Sequence, residues 1–185
     1  MRVTMISGKG GEGKSSLAYL LARAITHAGR SVTVEDLDPQ GTLRHLLEGA
    51  DWLAEDTADV TVVDTPPRID APAVLAAIEE ADRIVVPVSP SPVGIAALRA
   101  TLDVTNGKRS AGTPVLVVIN RTRAGTALAA SARAALESIG ATVAATEIPE
   151  RQSIQKVILG DWKTLEVTTR ETVLALALEV LTATD

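Results

Sequence analysis

The chain has 185 residues, with 18 Lys and Arg against 23 Asp and Glu and a formal net charge of −5. No bulk attraction to nucleic acid or anionic lipid is expected from that balance, although it leaves a local basic patch open. Cysteine is absent, which excludes disulfides, thiolate zinc sites, Cys-ligated iron–sulfur clusters and a cysteine nucleophile.

Aromatic residues are 2% of the chain, with no Phe, so the core must come from Ala, Val, Leu and Ile. The length suits one domain, residues 1–185. Residues 1–7, MRVTMIS, lack a signal-peptide pattern. No apolar run approaches the roughly 18 residues of a membrane helix. These features predict a soluble, cytoplasmic protein.

In chain order, strands are predicted at Arg2–Ser7, Ser31–Glu35, Asp59–Asp64, Arg83–Val88, Pro114–Asn120 and Thr142–Ile148. Helices are predicted at Ser15–His27, Thr42–Glu48, Asp70–Glu80, Val93–Asn106, Thr126–Ser138, Ser153–Leu159 and Thr169–Thr182. Regular alternation of strands and helices argues for βαβ units on a mostly parallel sheet, an α/β three-layer fold. Val115–Ile119 is apolar throughout, as a strand covered on both faces should be. His27 and His45 are read as structural, and Tyr19, Trp52 and Trp162 as packing anchors.

Residues 8–15, Gly-Lys-Gly-Gly-Glu-Gly-Lys-Ser, fit G-x-x-x-x-G-K-[ST] between a strand and a helix. In such a loop the backbone N–H groups of Gly8, Lys9, Gly10, Gly11, Glu12, Gly13 and the residues to Ser16 curl around phosphates. Lys14 reaches the β/γ oxygens, Ser15 can ligate Mg²⁺, and the helix N-terminus adds partial positive charge. Gly8, Gly10 and Gly13 also spell the G-x-G-x-x-G of dinucleotide sites, with Asp36 at a suitable distance. Lys14-Ser15 decides for the phosphate loop of an NTPase, because a dinucleotide loop has no need of either.

Asp64 ends the strand at Asp59–Asp64 and is placed to hold Mg²⁺ beside that loop. Asp36 and Asp38, in Glu35-Asp-Leu-Asp-Pro-Gln-Gly41, end the second strand. Alternate residues of an extended chain point the same way, so both can face the γ-phosphate and metal. The same segment also reads as an Asp-Pro-x-Gly turn, and the two roles are compatible.

Together these residues resemble the ParA/MinD family of deviant Walker A ATPases, most closely its small plasmid-partition members of the ParF type. The resemblance rests on a second loop lysine, Lys9, on Asp36 to Gly41, and on Asp64. It implies ATP and Mg²⁺ as cofactors and Lys9 contacting the other subunit's phosphates in an ATP-bound homodimer. It implies Asp38 as the water-orienting carboxylate, Asp36 as a group on the Mg²⁺ side and Asp64 as the Walker B aspartate. Pro87, Pro90 and Pro92 match a proline-rich dimer-interface loop. Asn120, with Arg121, matches the adenine-reading position, and Ile148-Pro149 the other wall of the base pocket. Arg151 and Lys156, with Arg121, Arg123 and Lys163 behind them, are the candidates for a DNA surface completed by dimerisation.

The implied function is nucleoid-associated segregation of plasmid or chromosome DNA by an ATP-dependent dimer. That dimer would bind duplex DNA without sequence preference, with hydrolysis stimulated by a ParB-type centromere-binding protein. The same chemistry positioning a protein cargo, such as a carboxysome or chemoreceptor cluster, is the alternative. A metabolic P-loop enzyme would need a substrate pocket for which the chain leaves little room. Two departures from the family stand out. The segment from Gly41 to Asp59 is compressed, and Leu174 to Asp185 is not the basic amphipathic helix of membrane-bound relatives.

Overall fold

The structure is a computed structural model that describes residues 1–55, 57–123, 126–157 and 162–184, with the backbone alone at 127–130 and 155–157. Six strands form one sheet: β1 (Arg2–Met5), β2 (Val32–Asp36), β3 (Val60–Asp64), β4 (Arg83–Val88), β5 (Val115–Thr122) and β6 (Ile148–Pro149). Their order is β2-β3-β1-β4-β5-β6, and every pairing among them is parallel. The helices are α1 (Lys14–His27), α2 (Thr42–Leu46), α3 (Pro72–Glu79), α4 (Pro92–Lys108), α5 (Ala127–Ser138), α6 (Gln152–Val157) and α7 (Val167–Thr182). The predicted helix Ser153–Leu159 is thus matched as far as Val157, and its end lies outside the described residues. Among the described residues no helix is long and apolar enough to cross a membrane.

Alternation along the strands sends side chains to two apolar layers. Val3, Met5, Val62, Val85 and Val118 face a cluster built with Leu17, Leu21 and Ile25 of α1 and Val173, Leu176 and Val180 of α7. Ile84, Val86, Val117 and Ile119 face a second cluster with Val74 and Ile78 of α3, Leu98 and Leu102 of α4, and Leu136 of α5. Trp162 and Tyr19 are buried in the first layer. Trp52 meets Tyr19 edge to face at 6.1 Å and lies 4.6 Å under the Arg23 guanidinium. The compressed 41–59 segment is therefore pinned on α1 through Trp52, and the anchoring role expected of the three aromatics holds.

The last predicted strand, Thr142–Ile148, is largely absent. A single bridge joins Val143 to Val117, and β6 itself is two residues. Between them the backbone N–H groups of Ala145 and Thr146 donate to the Glu179 carboxylate of α7. Arg133 of α5 takes the carbonyl of Ala144 at 2.7 Å. Charged side chains thus satisfy the backbone groups that a ladder to β5 would have used.

Pro87 lies inside β4, buried and opposite Val118. Ile6 N–H donates to the Val85 carbonyl at 2.9 Å. The next bond on that side would need an N–H from residue 87, which proline lacks. The β1–β4 ladder stops there, and the chain after β1 is free to turn into the loop. Pro87, expected at a dimer face, is therefore a buried strand residue within its own subunit; Pro90 is half-buried and Pro92 is exposed.

Candidate functional site

The register sets Asp36 opposite Asp64 and Asp64 opposite Met5. The carboxyl ends of β2, β3 and β1 are therefore level, with the glycine-rich loop leaving from β1. Ligands in open α/β sheets bind at this edge.

The loop is braced on three sides. The Ser7 hydroxyl donates to the Lys9 carbonyl at 3.1 Å. Gly8 N–H donates to the Thr101 hydroxyl of α4 at 3.2 Å. The Asn120 amide donates to the Glu12 carbonyl at 2.8 Å. Gly13 has φ 87°, and a Cβ there would sit 2.5 Å from Asn120 Nδ2. Only glycine tolerates both the left-handed backbone and that approach. From Gly13 the chain enters α1, so the first helical N–H groups face the loop's interior.

Lys14 is buried, with 8% exposure. Burial lowers its pKa, opposed by attraction from Asp64, Asp38 and Glu12. Asp64 is fully buried, and neither of its oxygens has a hydrogen-bond partner. Desolvation raises its pKa to about 6; the Ser15 hydroxyl, which falls short of hydrogen-bond geometry, and the Lys14 ammonium act against that rise. A buried carboxylate with two unpartnered oxygens, beside a hydroxyl on the first turn of α1, is a donor set that a hard divalent cation completes. Those residues therefore fit Mg²⁺.

The two other carboxylates separate in role. Asp36 Oδ1 accepts from Asp38 N–H at 3.0 Å and Oδ2 from Arg44 N–H at 2.9 Å. Both its oxygens hold the turn and the start of α2. Asp38 accepts from Gln40 N–H at 3.0 Å and acts on both Lys14 and Asp64. Both carboxylates act on Asp64, and of the two only Asp38 also attracts the loop lysine, while Asp36 holds the turn.

On the other side of the loop a cavity of about 180 Å³ is lined by Gly13, Ser16, Asn120, Arg121, Pro149 and Ile154, among others. Asn120 is buried, and its Oδ1 accepts from Arg121 N–H at 3.0 Å. An amide has two donors and two acceptor positions, so one of each remains for a base edge. Arg121 is the one non-glycine residue with positive φ, 59°, among the described residues, at an irregularity in the β5–β6 pairing. Ile148, expected as a wall, is instead a core residue at 1% exposure. Its neighbour Pro149 lines the cavity.

Arg151 lines the same cavity rather than a separate face. The Lys156 side chain lies outside the described residues. Arg123 is paired with Glu150, and Lys163 is exposed on the turn before α7. No pattern in the sequence signals Ile154, or Thr101 as the Gly8 acceptor. Both depend on helices whose docking no local pattern specifies.

The family described as the CobQ/CobB/MinD/ParA nucleotide binding domain matches residues 3–161. The chain is 27% identical over 177 residues to the maintenance of carboxysome distribution protein A of Halothiobacillus neapolitanus, covering 82% of this chain and 80% of that one. Its fold is similar to that of apo McdA from Cyanothece, with TM-score 0.79, 18% identity, and coverage of 97% and 98% of the two chains. It is likewise similar to a putative plasmid partition protein of Borrelia burgdorferi bound to AMPPNP, with TM-score 0.75, 15% identity and 97% coverage of each chain. With a family match over most of its length and a phosphate loop at the centre of a parallel sheet, the chain belongs to the CobQ/CobB/MinD/ParA nucleotide-binding domain family.

Proposed function

We propose that this chain is a Mg²⁺-dependent ATPase that pairs with a second copy on ATP, binds duplex DNA without sequence preference in that state, and uses the cycle to position a cargo. The observation that carries this reading is Lys14, buried among Asp64, Asp38 and Glu12 at the level end of β1, β2 and β3. An ammonium held there, under the N-terminus of α1, is a cradle for the β- and γ-phosphates. Ser15 and Asp64 would hold Mg²⁺, which neutralises phosphate charge when bound. Asp38 orients the attacking water toward the γ-phosphorus. The phosphorus–oxygen bond to the leaving ADP then breaks, and the water's proton leaves with the phosphate or the solvent. Asn120 offers its remaining donor and acceptor to the base, with Pro149 and Arg121 as walls. Lys9 contacts the phosphates of the second copy, and Pro90 and Pro92 lie at the shared face.

Two cargoes are supported by different observations. The name of the Halothiobacillus relative favours a protein assembly, and that relation is one of sequence over most of the chain. The name of the Borrelia neighbour favours a plasmid, at the level of fold alone. We therefore place a protein cargo first and DNA segregation with a ParB-type partner second, the reverse of the order that the sequence alone suggested.

The test is light scattering, phosphate release and duplex binding with ATP, ADP and no nucleotide. Dimerisation and DNA binding with ATP alone, with binding falling steeply as salt rises, are expected. Equal DNA binding in all three states would overturn the switch. Deletion in the native host separates the cargoes, by clumping of a protein assembly in one case and loss of a replicon in the other. Arg151→Ala and Lys156→Ala are the first DNA-contact variants to measure.

A further inference from the structure

Glu12 is out of place in a loop that wraps a polyanion. Its side chain is 3% exposed, its carboxylate pairs with Lys9 Nζ, and its other oxygen accepts from Ser89 N–H. Desolvation pushes its pKa up, but the hydrogen bonds from Lys9 and Ser89 outweigh it, so the group stays ionised below the ordinary range. A buried carboxylate cannot attract phosphate. What it does here is neutralise one of the loop's two cations and fasten the loop to the turn between β4 and α4.

That turn is itself tightly built. The Ser91 hydroxyl caps α4 by accepting from Gly94 N–H at 3.0 Å. A Cβ on Gly94 would sit 2.8 Å from the Ser89 carbonyl. The turn carries Pro90, and the first two residues of α4 are Pro92 and Val93, the latter 66% exposed. One carboxylate therefore links Lys9 to the turn that leads into the exposed start of α4.

We propose that Glu12 is a positioning residue that holds Lys9 inside its own subunit and ties it to the proline-rich turn, so that ATP-dependent pairing requires the Lys9–Glu12 ion pair to open. This deepens, and rests on, the reading of Lys9 as a contact to the second copy. ATP brings negative charge that competes with Glu12 for Lys9. Once Lys9 leaves, the carboxylate keeps only its bond to Ser89 N–H and is a buried charge short of a partner, which is costly. The ion pair thus sets how much ATP is needed before two subunits join.

The experiment is the ATP concentration for half-maximal dimerisation, by light scattering, in wild type, Glu12→Gln, Glu12→Asp and Lys9→Gln, with a thermal melt as the folding control. Glu12→Gln keeps an acceptor for Ser89 and removes the charge. It should dimerise at about tenfold less ATP, the size of one charge-assisted hydrogen bond in a partly exposed pair. Glu12→Asp keeps the charge but cannot span both partners, and should lower the requirement about two- to threefold. A purely structural role would move both variants the other way, toward weaker nucleotide binding and more ATP. An unchanged or higher requirement in either folded variant overturns the proposal. Lys9→Gln reports on the underlying reading separately, since a normal ATP dimer in that variant would remove the trans contact itself.

Discussion

Removing the charge of Asp64 should stabilise the nucleotide-free protein while destroying its site. The carboxyl is fully buried with both oxygens unpartnered, and burial raises its pKa from 3.8 to about 6. In the folded chain the group keeps its proton up to about pH 6, whereas in the unfolded chain it releases it near 3.8. Between those values the native state binds more protons, so stability falls as pH rises through the window, and the whole penalty is present above pH 6. At ~1.4 kcal/mol per tenfold change in proton affinity, the penalty is about 3 kcal/mol. Asp64→Asn removes it but buries an amide N–H that needs a partner, at a cost of about 1–3 kcal/mol, about 2 in mid-range. A net gain of ~1 kcal/mol is left at that mid-range cost, or about 2–4 °C in Tm for a chain of this size. The assay is a thermal melt without nucleotide or metal at pH 7.5 and pH 5. The variant should melt higher at pH 7.5, the gap should narrow at pH 5, and Mg²⁺ with ATP should raise the melting point of wild type alone. A variant no more stable than wild type at pH 7.5, or a gap that does not narrow in acid, would refute the argument from burial.

Lys14→Ala should lose ATP binding by a hundredfold or more in titration calorimetry, because no other cation stands at the centre of the loop. Asp38→Ala should bind ATP and dimerise as wild type does while phosphate release slows by about a hundredfold, since water orientation is needed only in the transition state. Gly13→Ala should cost roughly 1–3 kcal/mol in denaturant unfolding and weaken ATP binding. Its φ of 87° and the 2.5 Å approach to Asn120 force either the loop or that amide to move; a variant as stable as wild type would show that the brace is not needed.

Most of this fold is written in local pattern. The six β-branched runs and the helices between them are legible because strands covered on both faces must be apolar and the helices between them must be long enough to cross back. The loop is legible because its chemistry demands glycines, a lysine and a hydroxyl in fixed order. The Thr142–Ile148 segment fails for a tertiary reason. Its β-branched residues suit a strand, but Glu179, some thirty residues later, takes the N–H groups of Ala145 and Thr146, and no local propensity reports a carboxylate arriving from another helix. Pro87 stands inside the strand predicted at Arg83–Val88, but that it ends the β1–β4 ladder there depends on which strand lies beside it, which residue type alone does not report.

The site divides along the same line. Residues whose identity is dictated by phosphate chemistry, Lys14, Ser15 and Asp64, stand where the motif puts them. Residues whose role depends on what they meet do not follow from type alone. Asp36 and Asp38 are identical side chains two positions apart, and the fold separates them by offering the N–H groups of Asp38 and Arg44 to the first, while only the second attracts Lys14. Ile148 and Pro149 are adjacent, and the pleat sends the first into the core and the second to the cavity. Glu12 is the sharpest case. In the sequence it is one variable position among glycines, and in the fold it is the counter-ion of Lys9 and the tie to Ser89. A motif specifies what must touch the ligand. The control of when the ligand acts lies in the contacts those same residues make without it, and these are fixed only when β4 and α4 bring Ser89 against the loop.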